Sequence, residues 1–276
     1  MWKVYFNLNK PSKLEANKEI NGMNVSVSHG SDQLVIEFAE ACDEADAQQK
    51  ALTAAIPFLD TLSWKYNTTL AVDEATRRVE HVSPAGQRQS SITVSDSITV
   101  SEGIKLVKKD SAGHIIEVYD SSKPGKIEVK PSEAASYYRH AHLTKDSFNR
   151  FHDLYLAAEN VASKIQATKG LSKNELKRLS ELGLLKLALD ECFSSNPHSL
   201  RQIAGKLPEF DEAKDTIAQV AKILYNGYRC QLSHSKDRED KKIPFNPQDE
   251  KEVKTALPLM EFVAKSLLQY EENLLL

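Results

Sequence analysis

The 276-residue sequence predicts two domains of different fold class: a strand-rich α+β domain over residues 1–130 and an all-α domain over residues 131–276. The main observation is a change in hydrophobic period, from two in the N-terminal half to 3.6 from Ser132 onward. The length of the chain agrees with two domains, because 276 residues are too many for one small hydrophobic core. Four amphipathic stretches with short links in the second half predict an up-and-down four-helix bundle.

Alternation of apolar and polar residues predicts the strands of the N-terminal domain. It runs from Trp2 to Leu8, includes Val25 and Val27, and is followed by the apolar run Leu34–Phe38. Breaks that contain glycine or proline separate the later strands and predict turns. These later candidate strands are Thr69–Val72, Ser91–Val100, Gly103–Val107, His114–Tyr119 and Lys126–Val129.

One long helix interrupts the strands, from about Asp43 to Trp64. Its apolar residues recur at helical spacing on one face. They are Ala51, Leu52, Ala55, Ile56, Leu59 and Leu62. Pro57 lies inside this helix and predicts a kink, because proline lacks a backbone donor and clashes with the preceding turn. Pro258 is expected to bend the last helix of the chain for the same reason.

The C-terminal domain contains the four predicted long helices. The first carries the apolar stripe Phe148–Ile165, and the second opens with the capping box Ser172–Glu175. A short helical piece is expected at His198–Lys206. The third and fourth long helices carry the stripes Ala213–Tyr228 and Val253–Leu267.

Composition excludes several classes of protein. The chain has 36 Lys and Arg against 39 Asp and Glu, so no chain-wide basic field indicates nucleic acid and any RNA contact must be local. No apolar run is long enough for a membrane span, and the N-terminus alternates like a strand, so we expect a cytoplasmic protein without a membrane partner. The three distant cysteines predict neither disulfides nor zinc. Motifs of nucleotide hydrolases, dinucleotide-binding proteins, serine hydrolases and zinc proteases are absent, and no cofactor is expected.

Three histidines near the start of the C-terminal domain raise the question of a metal. His140 and His142 have a ligand spacing, and His152 follows. No set of Asp, Glu, Cys or His with matching spacing accompanies them, so no metal site is predicted. The favoured alternative is a polar linker that packs one aromatic residue, Tyr138, against the bundle.

The most informative motif lies where the third helix ends, at Arg229 and His234 with four residues between them. Arginine binds phosphate bidentately and is always charged, and histidine exchanges a proton near neutral pH. The pair therefore suits phosphodiester chemistry. Because five helical steps place two side chains about 140° apart, the helix should loosen near Ser233, or a second subunit must complete the site.

The order of these features resembles a HEPN domain, a small helical fold found in many prokaryotic toxin, antiviral-defence and RNA-processing proteins. The resemblance rests on the run Phe151–Asn160, the leucine-rich second helix, and the motif of Arg229 and His234 followed by a polar loop and a closing helix. It covers residues 132–276 and does not extend to the N-terminal domain. A two-residue motif is weak alone, and its place at the end of the third helix gives it weight.

The resemblance implies metal-independent RNA cleavage in a cleft between two copies of the bundle, and hence a homodimer through the C-terminal domain. Arg229 would hold the scissile phosphate, and His234 would assist proton transfer as the 2′-hydroxyl attacks. Glu159 would either orient Arg229 or lie on a solvated helix face. Apart from the resemblance, we expect the N-terminal domain to bind a target or protein partner, or to restrain activity. The possible auxiliary residues are Glu159, Tyr228, Ser233 and Lys236.

Two departures from the family pattern leave other interpretations open. Cys230 stands where many active members have a small polar residue, and Lys236 stands where some have a tyrosine. A non-catalytic HEPN module that binds RNA, nucleotide or protein is therefore an alternative, as is a purely structural interaction protein. Arg229 could equally form a surface salt bridge, with His234 near the helix C-terminus, where cations are favoured.

Overall fold

The computed structural model describes residues 1–82, 88–92, 105–109, 115–120, 132–169, 180–233, 242 and 246–274. The chain divides into two compact units, Met1–Pro131 and Ser132–Leu276. An antiparallel sheet in the first and helices in the second confirm the predicted change from strands to helices. Within the described ranges, no helix combines the length and the apolar character needed to cross a bilayer.

The N-terminal unit is built on an antiparallel sheet. The described strands of this sheet are β1 Trp2–Leu8, β2 Ala16–Ile20, β3 Met23–Val27, β4 Gln33–Phe38, β5 Val72–Val82 and β6 Arg88–Ile92. Their spatial order is β2-β3-β4-β1-β5-β6, so the first strand of the chain lies between β4 and β5. A separate antiparallel pair joins β7 Lys105–Lys109 to β8 Ile115–Asp120.

Helix α1, Glu44–Tyr66, packs on one face of this sheet. The Asp43 carboxylate accepts a hydrogen bond of 2.8 Å from the Asp46 N–H and caps the first turn. Asn67, with φ at 53°, ends the helix in the left-handed conformation. The apolar helix face and the inward strand residues bury a common core. Fully buried members include Val4, Phe6, Val25, Ile36, Ala51, Phe58, Leu59 and Leu62.

Several strand predictions are wrong in their bounds. The strand expected at Thr69–Val72 begins at Val72 and continues to Val82, and β2 was not predicted at all. Charged residues interrupt the apolar alternation in both, and pairing with neighbouring strands stabilises them instead. Of the strand expected at Ser91–Val100, the structure describes Arg88–Ile92, and residues 93–100 and 126–129 lie outside the described residues.

Neither internal proline ends its helix. Helix α1 continues through Pro57, and the last helix of the chain continues through Pro258. Thr61 donates a hydrogen bond of 2.9 Å from its hydroxyl to the Pro57 carbonyl.

The C-terminal unit is helical. Its described elements are α2 Glu133–Leu143, α3 Ser147–Thr168, α4 Glu181–Phe193, α5 His198–Ala204, α6 Thr216–Lys222, a π-helical segment π1 Ile223–Arg229, α7 Cys230–Ser233 and α8 Pro247–Leu274. Helix α3 is central, because it packs against α2, α4 and α8. Fully buried Phe151 and Leu154 on α3, and Met260 and Val263 on α8, belong to the core of this unit.

Helix α2 replaces the predicted polar linker around Tyr138. Ser132 caps it by accepting a hydrogen bond from the Ala135 N–H. The sequence pattern did not show this helix, because polar residues on its outer face alternate with the apolar ones. Its buried residues are Ala134, Ala135, Tyr138 and Ala141. The unit therefore has more helical segments than the four long helices and one short piece predicted, and an up-and-down four-helix bundle is not confirmed. The predicted start of the second helix at Ser172 lies outside the described residues.

Candidate functional site

Arg229 is the last residue of π1, where the helix is wound more widely than an α-helix. The Cys230 N–H donates to the Tyr225 carbonyl, five residues back. The wider turn lies before Ser233 in the chain. Ser233, near which the helix was expected to loosen, is in α-helical α7. Asn226 and Gly227 are poor helix formers, which makes this stretch the weak point of the helix. Such π segments occur frequently at functional sites.

The Arg229 side chain is mostly buried, with 18% of its surface exposed. Its guanidinium carbon lies 5.6 Å from the centre of the Tyr155 ring, within cation–π range. Its Nη2 is 3.9 Å from Glu181 Oε2, which is too long for a hydrogen bond. Its Nε–H is buried and has no hydrogen-bond partner among the described residues. The guanidinium is thus held by an aromatic face and a loose ion pair.

Two carboxylates interact with the charge of this guanidinium, one from α3 and one from α4. Glu159 on α3 is half-buried, and burial followed by the negative charge of Glu181 raises its pKa, while Arg229 and His152 oppose that rise. Glu181 is the first residue of α4, and 47% of its side chain is exposed. Glu159 is therefore half-buried and near enough to Arg229 for the two charges to interact.

Two tyrosines complete the Arg229 site. Burial, followed by contact with Cys230, raises the pKa of Tyr225 to about 12. Burial, followed by the charge of Glu159, raises the pKa of Tyr155 well above its usual value. Both phenols therefore stay protonated at neutral pH and can donate hydrogen bonds.

The sequence pattern missed Tyr155, Tyr225 and Glu181 as members of the site. A usable signal existed for the two tyrosines, because each lies four residues before a charged candidate on the same helix. Tyr155 precedes Glu159, and Tyr225 precedes Arg229. Residues at this spacing are neighbours on a helix surface. Glu181 carried no such signal.

The other predicted site residues do not join Arg229 among the described residues. Tyr228 has only 2% of its surface exposed, and its ring packs 5.3 Å from that of Phe151, so it is a core residue. Ser233 is the last residue of α7. His234 and Lys236 lie outside the described residues, so the structure does not place either of them relative to Arg229.

The histidines of α2 lie beside two separate carboxylates. His140 Nδ1 lies 2.7 Å from Asp153 Oδ2, and His142 Nε2 lies 3.6 Å from Glu261 Oε1. Glu261 also accepts a hydrogen bond of 2.8 Å from Arg150. Within the described parts of the chain, no three His, Cys, Asp or Glu side chains come together as metal ligands.

His142 is expected to make stability depend on pH. Burial lowers its pKa from 6.5, opposed by Glu261, so the folded state favours the neutral imidazole and the unfolded chain binds the proton first. The stability is fully present above the unfolded pKa and is lost as pH falls below it. In His142→Phe, the drop in Tm between pH 7.5 and 5.5 should be smaller than in wild type, as measured by circular dichroism at 222 nm.

A matched control for this measurement is His198→Gln, which removes an exposed imidazole from the same unit. It should keep the wild-type pH dependence. If His142→Phe loses as much stability on acidification as wild type does, burial of His142 is not the cause.

The Arg229 site combines a fixed cation and two protonated phenols with two carboxylates. It can therefore receive an anion such as a phosphate, against opposition from the carboxylates. Comparisons of the chain with protein-family models, with curated proteins and with solved structures each find no match.

Proposed function

We propose that the C-terminal unit is a HEPN-type endoribonuclease domain that cleaves RNA without a metal ion. The protein would act in the cytoplasm of a prokaryote, in defence or stress response. The main support for this proposal is the environment of the Arg229 side chain. Its guanidinium rests on Tyr155, its buried Nε–H has no partner among the described residues, and its ion pair with Glu181 is loose. Donors that are fixed but incompletely paired suit a phosphate ligand.

The proposed reaction uses the RNA's own 2′-hydroxyl as nucleophile. The hydroxyl oxygen bonds to the adjacent phosphorus and the bond to the 5′-oxygen breaks, leaving a 2′,3′-cyclic phosphate and a 5′-hydroxyl. Arg229 stabilises the negative charge that develops on the phosphate. His234 transfers a proton, taking it from the 2′-hydroxyl or giving it to the departing 5′-oxygen. The role of His234 rests on its position five residues after Arg229.

In this proposal, four long helical rods correspond to the four helices of the family fold. The first is α3, the second is α4, the third is the continuous run of α6, π1 and α7, and the fourth is α8. Helix α3 packs against α4 and α8, and α4 packs against α6. Helix α2 is then an added element on α3, and α5 belongs to the link between the second and third rods. This assignment places Arg229 near the end of the third rod.

A second candidate function is a non-catalytic module that binds RNA, nucleotide or protein. The carboxylates of Glu159 and Glu181 favour it, because both repel an incoming phosphate and both act on Arg229. Cleavage assays decide between the two functions. A protein that binds RNA and leaves it intact is the module, and one that cuts RNA is the enzyme.

A composite cleft also requires a homodimer through the C-terminal unit, because each copy contributes one Arg229. Among the described residues, the exposed large hydrophobics are Met1 and Ile56 of the N-terminal unit, and none lies in the C-terminal unit. The interface would therefore use polar and half-buried residues.

Light scattering at micromolar concentration should give twice the chain mass if the cleft is composite. The same measurement after Arg229→Ala should give the same mass, because one side chain does not form the whole interface. A monomer in both cases would rule out the composite cleft.

The N-terminal unit is proposed to recognise a protein partner or to restrain the nuclease. The sheet face opposite α1 supports this role, since it carries a mixed polar cluster. Lys3 pairs with Glu37, Tyr5 donates a hydrogen bond of 3.2 Å to Glu80, and Arg78 lies 5.1 Å from the Tyr5 ring centre.

A further inference from the structure

We infer that Glu181 controls access to Arg229: its carboxylate takes the place beside the guanidinium that a phosphate would occupy, and a phosphate must displace it. The inference rests on the proposed function and names the residue that regulates the site.

The contacts of Glu181 identify it as a competitor for the phosphate. Its Oε2 is 3.9 Å from Arg229 Nη2, and its carboxylate is near enough to Tyr225 to help raise the pKa of that phenol. Tyr225 and Arg229 are four residues apart on the same helical run. A carboxylate near both side chains occupies the space in which a phosphate would meet the same two donors.

Glu181, and not Glu159, has the freedom to leave. Glu159 is half-buried in the middle of α3, the helix at the centre of the unit. Glu181 is the first residue of α4, 47% exposed, and its ion pair is longer than a hydrogen bond. A long, exposed side chain can turn into solvent at little cost, because a surface ion pair of this kind contributes little free energy.

The location at the start of α4 explains why the carboxylate stays near Arg229 when no phosphate is bound. Ser180 caps this helix by accepting a hydrogen bond of 3.2 Å from the Gly183 N–H. A negative charge in the first turn is favoured by the helix dipole. Glu181 is therefore held by two weak attractions, its own helix and Arg229, and each is weak enough for a phosphate to overcome.

The experiment measures binding of an uncleavable 2′-O-methyl oligonucleotide to the full chain at low ionic strength. Glu181→Gln should bind about fivefold more tightly than wild type, because one competing charge is removed. The control Glu212→Gln removes the same charge from an exposed loop of the same unit and should change affinity by less than about twofold. In the Arg229→Gln background, Glu181→Gln should produce no gain, because the two residues act together.

Two results would overturn the inference: a gain in Glu181→Gln no larger than in Glu212→Gln, or a gain that persists without Arg229. If no variant binds the oligonucleotide, the proposed function fails, and the inference is then tested with inorganic pyrophosphate. The readout is the nuclear magnetic resonance signal of the Arg229 Nε–H. Tighter pyrophosphate binding in Glu181→Gln than in Glu212→Gln supports the inference, and equal binding overturns it.

Discussion

Replacing His234 by alanine is expected to slow RNA cleavage by about 10²–10⁴-fold, because the change removes the proposed proton-transfer group. Arg229→Ala should cost about 10²–10³-fold, because it removes donors that stabilise the developing negative charge. Initial rates on a fluorescently labelled RNA, in a buffer that contains a chelator, measure both effects.

Matched variants separate chemistry from folding in this experiment. Arg229→Lys keeps the positive charge but loses the planar guanidinium and the buried Nε–H, so it should recover little activity. Lys222→Ala removes an exposed cation from the same helical run and should keep the rate within about twofold. Wild-type rates in both His234→Ala and Arg229→Ala, with melting curves unchanged, would remove the motif from the mechanism.

Phe151→Ala is expected to destabilise the C-terminal unit by about 3–5 kcal/mol, the cost typical of removing a fully buried aromatic side chain. Phe151 on α3 is fully buried, and its ring lies 5.3 Å from that of Tyr228 on π1. The cavity would loosen the contact that holds the Arg229 helix against α3, so RNA cleavage should fall as well. Urea denaturation, followed by circular dichroism at 222 nm, measures the loss of stability.

Phe262→Ala is the control for this change, since it removes a half-buried ring from α8. It should cost less free energy than Phe151→Ala, because less apolar surface is lost from the core. An equal or larger loss in Phe262→Ala would show that the packing of α3 against π1 is not central to the unit.

Elements with an uninterrupted apolar period were predictable from the sequence, and elements stabilised by their neighbours were not. Strand β1 and helix α1 were found because their apolar residues recur at one spacing. Strand β5 and helix α2 were misjudged because charged or polar residues cover much of their exposed sides. Their stability comes from pairing with β1 and packing on α3, which local pattern does not contain.

The same distinction applies to the candidate site. Arg229 and Glu159 were named from a motif and a helix position, and the structure places Glu159 in the field of Arg229. Glu181 comes to the site from another helix, α4, and only tertiary packing brings it to Arg229. The wide turn π1 was not predicted, because a change of winding leaves no periodic signal in the sequence.

In the proposed mechanism, Arg229 and His234 cleave RNA through attack by its own 2′-hydroxyl. The most direct measurement incubates the full chain, in the presence of a chelator, with an RNA and with its 2′-O-methyl counterpart, and identifies the product ends by mass spectrometry. We predict that only the RNA is cut, that its products carry 2′,3′-cyclic phosphate and 5′-hydroxyl ends, and that His234→Ala abolishes them. If RNA is bound but remains intact, the proposed mechanism is contradicted and the chain is a binding module. If RNA is neither bound nor cut, the structural interaction protein is the interpretation that remains.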